Sequence, residues 1–263
     1  MTTVTPRRVT DQAAVILAPN PGPMTLDGTN SYLLAGPGSA SSIVVDPGPG
    51  EAGHLSALTS AGSVELILIT HRHHDHTEGA AELARLTGAP VRAADPRHCI
   101  GSRPLVDGEI IEAAGLFVSI LATPGHTDDS VCFLLPDDGP TGSVLTGDTV
   151  LGRGTTVIAR PDGSLGAYLS SLRVLSGLGP RFVLPAHGPQ LPDLGAVAGA
   201  YLAHRGQRLD QIRSALEVLG LDAAVGAVTD LVYDDIDVSV RLPAEHSVAA
   251  QLEYLRGPGP HQQ

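Results

Sequence analysis

Residues 71 to 80 read HRHHDHTEGA and follow directly on the apolar run VELILIT. Four histidines and one aspartate fall within six positions. VELILIT is apolar on both faces, the pattern of a strand central in a sheet, and the loop leaving such a strand is a common place for a site. Side chains alternate in extended chain, so His71 and His73 point the same way and can bind one ion together. Asp75 and His76, where the chain turns into the next helix, then face a second ion beside the first. Thr77 is expected to cap that helix.

The rest of the chain supplies what two ions still lack. PGHTDD puts His126 at the end of the strand LFVSILAT, LTGDT puts Asp148 at the end of SVLTG, and LPAHGP puts His187 at the end of RFVLP. All three lie at strand ends followed by glycine or polar turns. A single histidine is ordinarily a core or surface residue, and a histidine-rich tract alone is an incidental metal binder. Recurrence in five parts argues for a built site. His74 is expected at the rim and not among the ligands, and His54, His98, His204, His246 and His261 are read as structural or solvated.

Strand patterns dominate the first half: NSYLLA, SIVVD, VELILIT, PVRAA, EIIEA, LFVSILATPG, SVCFLLP and SVLTGD. Helical patterns lie between them at 51–60, at 78–87 stopped by Gly88, and at 165–176 stopped by Gly177. This predicts a sheet-rich mixed fold. From about residue 196 the pattern turns helical, with Leu202, Leu209, Ile212, Leu216 and Leu219 at helical spacing and further helices at about 223–232 and 243–255. The ending GPGPHQQ is expected to be disordered.

A chain of 263 residues suits one large domain, alone or with a small appendage. No run approaches the roughly 18 apolar residues of a membrane span, and the start has too short an apolar region for a signal peptide, so a cytoplasmic protein is expected. Cys99 and Cys132 are too few for a disulfide framework, and Cys132 in SVCFLLP reads as a buried strand thiol. The net charge of −12 argues against holding nucleic acid by the overall field. All 16 basic residues are arginine, which excludes lysine chemistry such as a Schiff base.

HRHHDH fits the HxHxDH signature of the metallo-beta-lactamase superfamily, and His126, Asp148 and His187 fit its downstream ligands in order and approximate spacing. The flanks NPGPMTLDGTNSYLL, PGHTDDSVCFLL, GDTVLGRGTTVI and PAHGP look like the beta-lactamase-like protein 2 family within it. The resemblance covers roughly residues 15–215. It implies an α/β fold, the αββα four-layer sandwich, over residues 1–195. A C-terminal helical, winged-helix-like segment over 196–263 would follow.

It further implies two Zn2+ per chain, the first on His71, His73 and His126, the second on Asp75, His76 and His187, with Asp148 bridging. A bridging hydroxide would then act as nucleophile, Asp75 would orient it, and Asp75 and Asp148 would be the catalytic carboxylates. GRGTT at 152–156 lacks the ending of a phosphate loop and is expected as a rim loop beside Asp148. NPGPMTLDGTN at 20–30 reads as another rim loop or a plain turn.

The thiolate ligand of secreted antibiotic-hydrolysing relatives is missing from the pattern. Only 61 positions separate His126 from His187, too few for the insertion of RNA-processing exonucleases. Two enzyme readings stand: an endoribonuclease on single-stranded RNA, as the resemblance implies, and a small-molecule ester, thioester or lactone hydrolase of the glyoxalase II kind. A third reading is a metal-dependent ligand sensor with an oligomerisation module. Residues 196–263 carry 5 Arg against 9 Asp and Glu, which departs from a nucleic-acid-binding wing. Arg205, Arg208 and Arg213 lie on one predicted helix, where they would guide a phosphate backbone if turned to the metal edge.

Overall fold

The computed structural model describes residues 5–158, 161–233 and 238–257. Its first sheet runs β1 (Arg7–Arg8), β2 (Ala13–Leu17), β3 (Asn30–Leu34), β4 (Ser41–Val45), β5 (Ser63–Leu68), β6 (Val91–Arg92) in spatial order. It is antiparallel from β1 to β4 and parallel from β4 to β6. Parallel neighbours need a crossover, and α1 (Ala52–Ser60) and α3 (Ala80–Thr87) provide the two here, with the short α2 (His74–Thr77) before α3.

The second sheet contains β7 (Ile110–Ala113), β8 (Leu116–Ala122), β9 (Val131–Leu135), β10 (Ser143–Gly147) and β11 (Phe182–Pro185), ordered β11-β10-β9-β8-β7. β10 and β11 are parallel, joined through α4 (Leu165–Gly177).

Alternation along the strands builds the layers. Leu66 and Leu68 of β5 enter the core between the sheets with Tyr32, Phe133 and Leu145. Ile67 and Ile69 point the other way, onto Leu55, Leu58 and Leu83 of the outer helices. β5 is thus apolar on both faces because both faces are covered, as its sequence predicts. On the far side Cys132, Val144 and Val183 pack against Tyr168 and Leu172 of α4. The result is the expected αββα sandwich. The parallel strands β4 and β5, and β10 and β11, deliver their C-terminal ends to the edge where the candidate ligands gather, the usual place for a site in such sheets.

α5 (Leu194–Leu219), α6 (Val225–Val232) and α7 (Val238–Arg256) complete the chain, with no strand among the described residues of this segment. α5 lies along α4, and Ile212, Leu216, Val228, Val248 and Leu252 form a small core of their own. Its arginines do not form a free basic stripe. Arg205 is buried, Arg208 stacks over Tyr233 at 4.7 Å, and Arg213 pairs with Asp210 at 2.6 Å. The three arginines thus do not share one face: Arg205 is turned inward, Arg208 lies on Tyr233 and Arg213 is exposed beside Asp210.

Other expectations are refined. β1 and β2 extend the sheet ahead of the first predicted strand. Gly88 does stop α3, at φ 75°, but Gly177 is the last residue of α4, and the left-handed residue beyond it is Gly179 at φ 73°. Thr77 closes α2 instead of capping it: its hydroxyl donates back to His73 O at 3.0 Å, one turn earlier. Cys132 is fully buried in β9, its thiol pushed up to about 11 by burial, and both cysteines are free. Among the described residues no helix is long and apolar enough to cross a membrane. The expected disordered tail falls, from residue 258 on, outside the described residues, as does His261.

Gly125 precedes His126 at φ 145°, and a Cβ there would stand 2.3 Å from Tyr168 Cα and 2.4 Å from Tyr168 N. Gly125→Ala is expected to cost about 3 kcal/mol, because backbone strain and a backbone clash add; an unchanged urea midpoint would show that α4 yields.

His54 on α1 is buried with Nε2 2.9 Å from Ser31 Oγ, and burial pushes its pKa down to about 4. Below pH 6.5 the unfolded chain takes up a proton that the native ring refuses. Its contribution is constant above that pH, and stability falls as the pH drops towards 4, by up to about 3 kcal/mol. His54→Gln should flatten the acid limb of stability against pH between 6.5 and 4; a limb as steep as wild type would contradict this.

Candidate metal centre

Leaving β5, the chain passes through Thr70 and turns at once into α2, so His71 to His76 are presented within one loop and one helical turn. His71 and His73 do converge, although they stand in this loop and not in extended strand. His71 Nε2 lies 3.0 Å from His73 Nδ1, which in turn lies 3.0 Å from His126 Nε2. Asp148, directly after β10, reaches this group with Oδ2 3.6 Å from His126 Nε2. Beside it, Asp75 Oδ2 is 3.3 Å from His76 Nε2 and 3.2 Å from His187 Nε2. Asp148 Oδ1 stands 3.3 Å from His187 Nε2 and 3.7 Å from His76 Nε2. The seven side chains thus form two groups, His71, His73, His126 with Asp148, and Asp75, His76, His187, each with ligand atoms within 4.8 Å of one another. One carboxylate turns an oxygen to each.

The outer nitrogen of most rings has a partner that fixes its proton. A carbonyl can only accept, so Val157 O at 2.9 Å from His126 Nδ1, and Gly28 O at 3.2 Å from His187 Nδ1, each place an N–H on the outer atom. Asp46 Oδ2 does the same for His76 Nδ1 at 2.8 Å. Thr70 Oγ1 donates to Asp46 Oδ2 at 2.7 Å and so accepts from His71 Nδ1 at 3.1 Å. In each case the outer nitrogen carries the proton, so Nε2 is the atom left to bind an ion, in His76 and His187 once the second proton has gone. His76 Nε2, His187 Nε2 and Asp148 Oδ1 are buried with no hydrogen-bond partner among the described residues. Three such atoms aimed at one point fit a cation there.

Charge follows the same division. Burial, with the neighbouring His76 and His126, holds His71 well below the ordinary imidazole range. Burial and His126 bring His73 down to about 4. In the second group burial opposes charge and loses: Asp46, Asp75 and Asp148 raise His76 well above its usual value, and Asp148 and Asp75 bring His187 to about 9. Burial also opposes ionisation of Asp75 and Asp148, and the facing imidazoles still hold both well below the carboxylate range. A site that keeps protons on His76 and His187 is one where positive charge is stabilised, and an ion binding there would displace them.

Both suspected loops frame this edge. Thr29 Oγ1 of the 20–30 loop lies 3.4 Å from Asp75 Oδ2, and Gly28 O holds His187. Thr156 Oγ1 of the 152–156 loop donates to Asp148 O at 2.7 Å. His74 is exposed, 3.5 Å from Glu78, and outside both groups, as expected. His54, His98, His204 and His246 are also outside them.

Sequence reasoning missed Asp46, which is 1% exposed at φ 50° and accepts from Thr70 N, Thr70 Oγ1 and His76. Its one signal was an aspartate at the end of an apolar strand, which DPGPG masks as a turn. Arg72, placed between two ligands, was also missed; it bonds Asp128 and, at 2.7 Å, Asp162 across the entrance.

Similar proteins are known. The chain is 37% identical over 218 residues to lactamase-like protein adaB of Aspergillus niger, covering 80% of this chain and 65% of that protein's length. It is 34% identical over 233 residues to an atrochrysone carboxyl ACP thioesterase of Aspergillus chevalieri, covering 85% of this chain and 72% of that one. Among solved structures, metallo-beta-lactamase family protein TTHA1429 from Thermus thermophilus superposes with a TM-score of 0.76 at 24% identity, over 93% of both chains, a likeness of fold. The model of the metallo-beta-lactamase superfamily matches residues 24–187, which run from the first rim loop to the last histidine of the cluster, and the chain belongs to that superfamily.

Proposed function

We propose that the protein is a dinuclear zinc hydrolase of thioesters with small acyl groups, free or carried on a larger thiol. The observation that carries this is the pair of donor groups with converging inward nitrogens, joined by Asp148. His71, His73 and His126 would hold one ion, Asp75, His76 and His187 the other, and Asp148 both. An all-nitrogen and oxygen donor set of this kind suits Zn2+ with open positions. Two bound ions would supply Lewis acidity towards the acyl carbonyl and an activated water near neutral pH.

The chain's own groups do the rest. Asp75 has a side chain 28% exposed, the more open of the two carboxylates, and its Oδ2 faces the second group. It is placed to orient a water. Asp148, 12% exposed at the side chain, serves to fix the spacing. The rim loops at 20–30 and 152–156 are locked to each other by Arg153 and Asp27, at 2.6 and 2.9 Å, and so shape one wall of the entrance.

The thioester class is favoured by the thioesterase named among the relatives and by the helical segment. The flanking motifs' likeness to the beta-lactamase-like protein 2 family would carry ribonuclease action. A phosphate backbone needs free cations near the metals, and Arg205, Arg208 and Arg213 are engaged elsewhere. In this reading residues 1–195 form the catalytic part and 196–263 support it.

Elemental analysis of the metal-loaded protein should find close to two ions per chain. His126→Ala should lose one and Asp148→Ala should weaken both, and one ion or fewer in the loaded wild type would end the dinuclear assignment. Asp46→Asn should weaken the second ion about 10–100-fold in chelator competition, since partners of ligand histidines contribute on that scale. An affinity equal to wild type would remove Asp46 from the site.

The substrate class is decided by a direct comparison: turnover of an acyl-N-acetylcysteamine thioester against cleavage of single-stranded RNA at low salt. Thioester turnover without RNA cleavage is expected, and the reverse would restore the ribonuclease reading.

A further inference from the structure

The loop after Asp148 is gripped from outside by α5. Tyr201 Oη donates to Gly154 O at 2.8 Å and lies 3.2 Å from Leu151 O. One turn further, Arg205 is 5% exposed and donates to Thr156 O, and its guanidinium carbon stands 5.4 Å over the Tyr168 ring. Arg205 Nε is also buried and has no hydrogen-bond partner among the described residues. A guanidinium held with an unsatisfied N–H is costly, and an aliphatic residue would fill the same space without that cost. What the guanidinium does there is hold a backbone carbonyl.

That carbonyl is one residue from the group that aims a ligand. Val157 O accepts from His126 Nδ1 at 2.9 Å, and Thr156 Oγ1 donates to Asp148 O at 2.7 Å. Tyr168, between Arg205 and the site, donates to Thr149 O at 2.8 Å and packs against Gly125. His76 and His187 take their orientation elsewhere, from Asp46 and Gly28.

We propose that Arg205, assisted by Tyr201, is a positioning residue for the first ion. It clamps the 154–157 stretch so that Val157 O fixes the tautomer and direction of His126. The C-terminal helical segment thereby acts on the first metal affinity more strongly than on the second. The inference rests on the ligand assignment proposed above.

The test uses the full chain loaded with Co2+, whose visible spectrum reports each site, and dialysis against graded chelator with elemental analysis. His126→Ala and His187→Ala give the reference spectra for loss of the first and the second ion. Arg205→Met should release one ion at about 10–100-fold lower chelator than wild type and leave the His126→Ala spectrum. Arg205→Lys should restore part of that affinity. Release at the wild-type chelator concentration, or a His187→Ala spectrum, would overturn the proposal. Should Arg205→Met fail to fold, Tyr201→Phe decides alone: selective weakening of the first ion supports the clamp, and two unchanged affinities overturn it. A wild type that binds no Co2+ sinks the ligand assignment itself, whereas a wild type with two ions and unaltered variants sinks only the clamp.

Discussion

The edge of this molecule is organised around the carboxylate of Asp46. It is buried where β4 ends, and it accepts from the backbone and hydroxyl of Thr70 at the end of β5 and from His76 in α2. One side chain thus joins two parallel strands to the helical turn that carries Asp75 and His76. Its φ of 50° is uncommon for a residue other than glycine, and three charge-assisted bonds offset the strain. That anchor fixes the start of the β5–α2 turn and the direction of His76.

A division of labour follows. The first group joins three imidazoles to one carboxylate, and burial and the neighbouring rings hold His71 and His73 below the ordinary imidazole range. The second is rich in carboxylate influence, which is why its imidazoles favour positive charge in the same buried setting. Asp148 belongs to both and sits 12% exposed at the seam. Entrance chemistry is acidic but not bare, because Arg72 is shared by Asp128 and Asp162.

Most of the donor set could be read from the sequence because it is dense. His71 to His76 declare themselves in six positions, and His126, Asp148 and His187 each sit at a strand end before a turn. The layers were legible for a related reason: β5 is apolar on both faces only because helices and a second sheet cover it. What stayed hidden depends on contacts distant in sequence. Asp46 looks like a turn residue until Thr70 and His76 are brought to it. Arg205 looks like a surface cation until α5 lies on α4 and meets the loop at 156. Gly177 looks like a stop because glycine usually is one, but here the chain has one more helical residue before the left-handed turn at Gly179.

The donors are divided between the two sheets. His71, His73, Asp75 and His76 leave the first sheet through β5, while His126, Asp148 and His187 leave the second through β8, β10 and β11. Ions held by this set would act as rivets across the mouth of the sandwich, where the strands have ended and the apolar layer between them has run out. Chelation would then loosen the seam between the sheets as well as stop the chemistry, and a chain emerging from the ribosome could not close either rivet until its second sheet had been made.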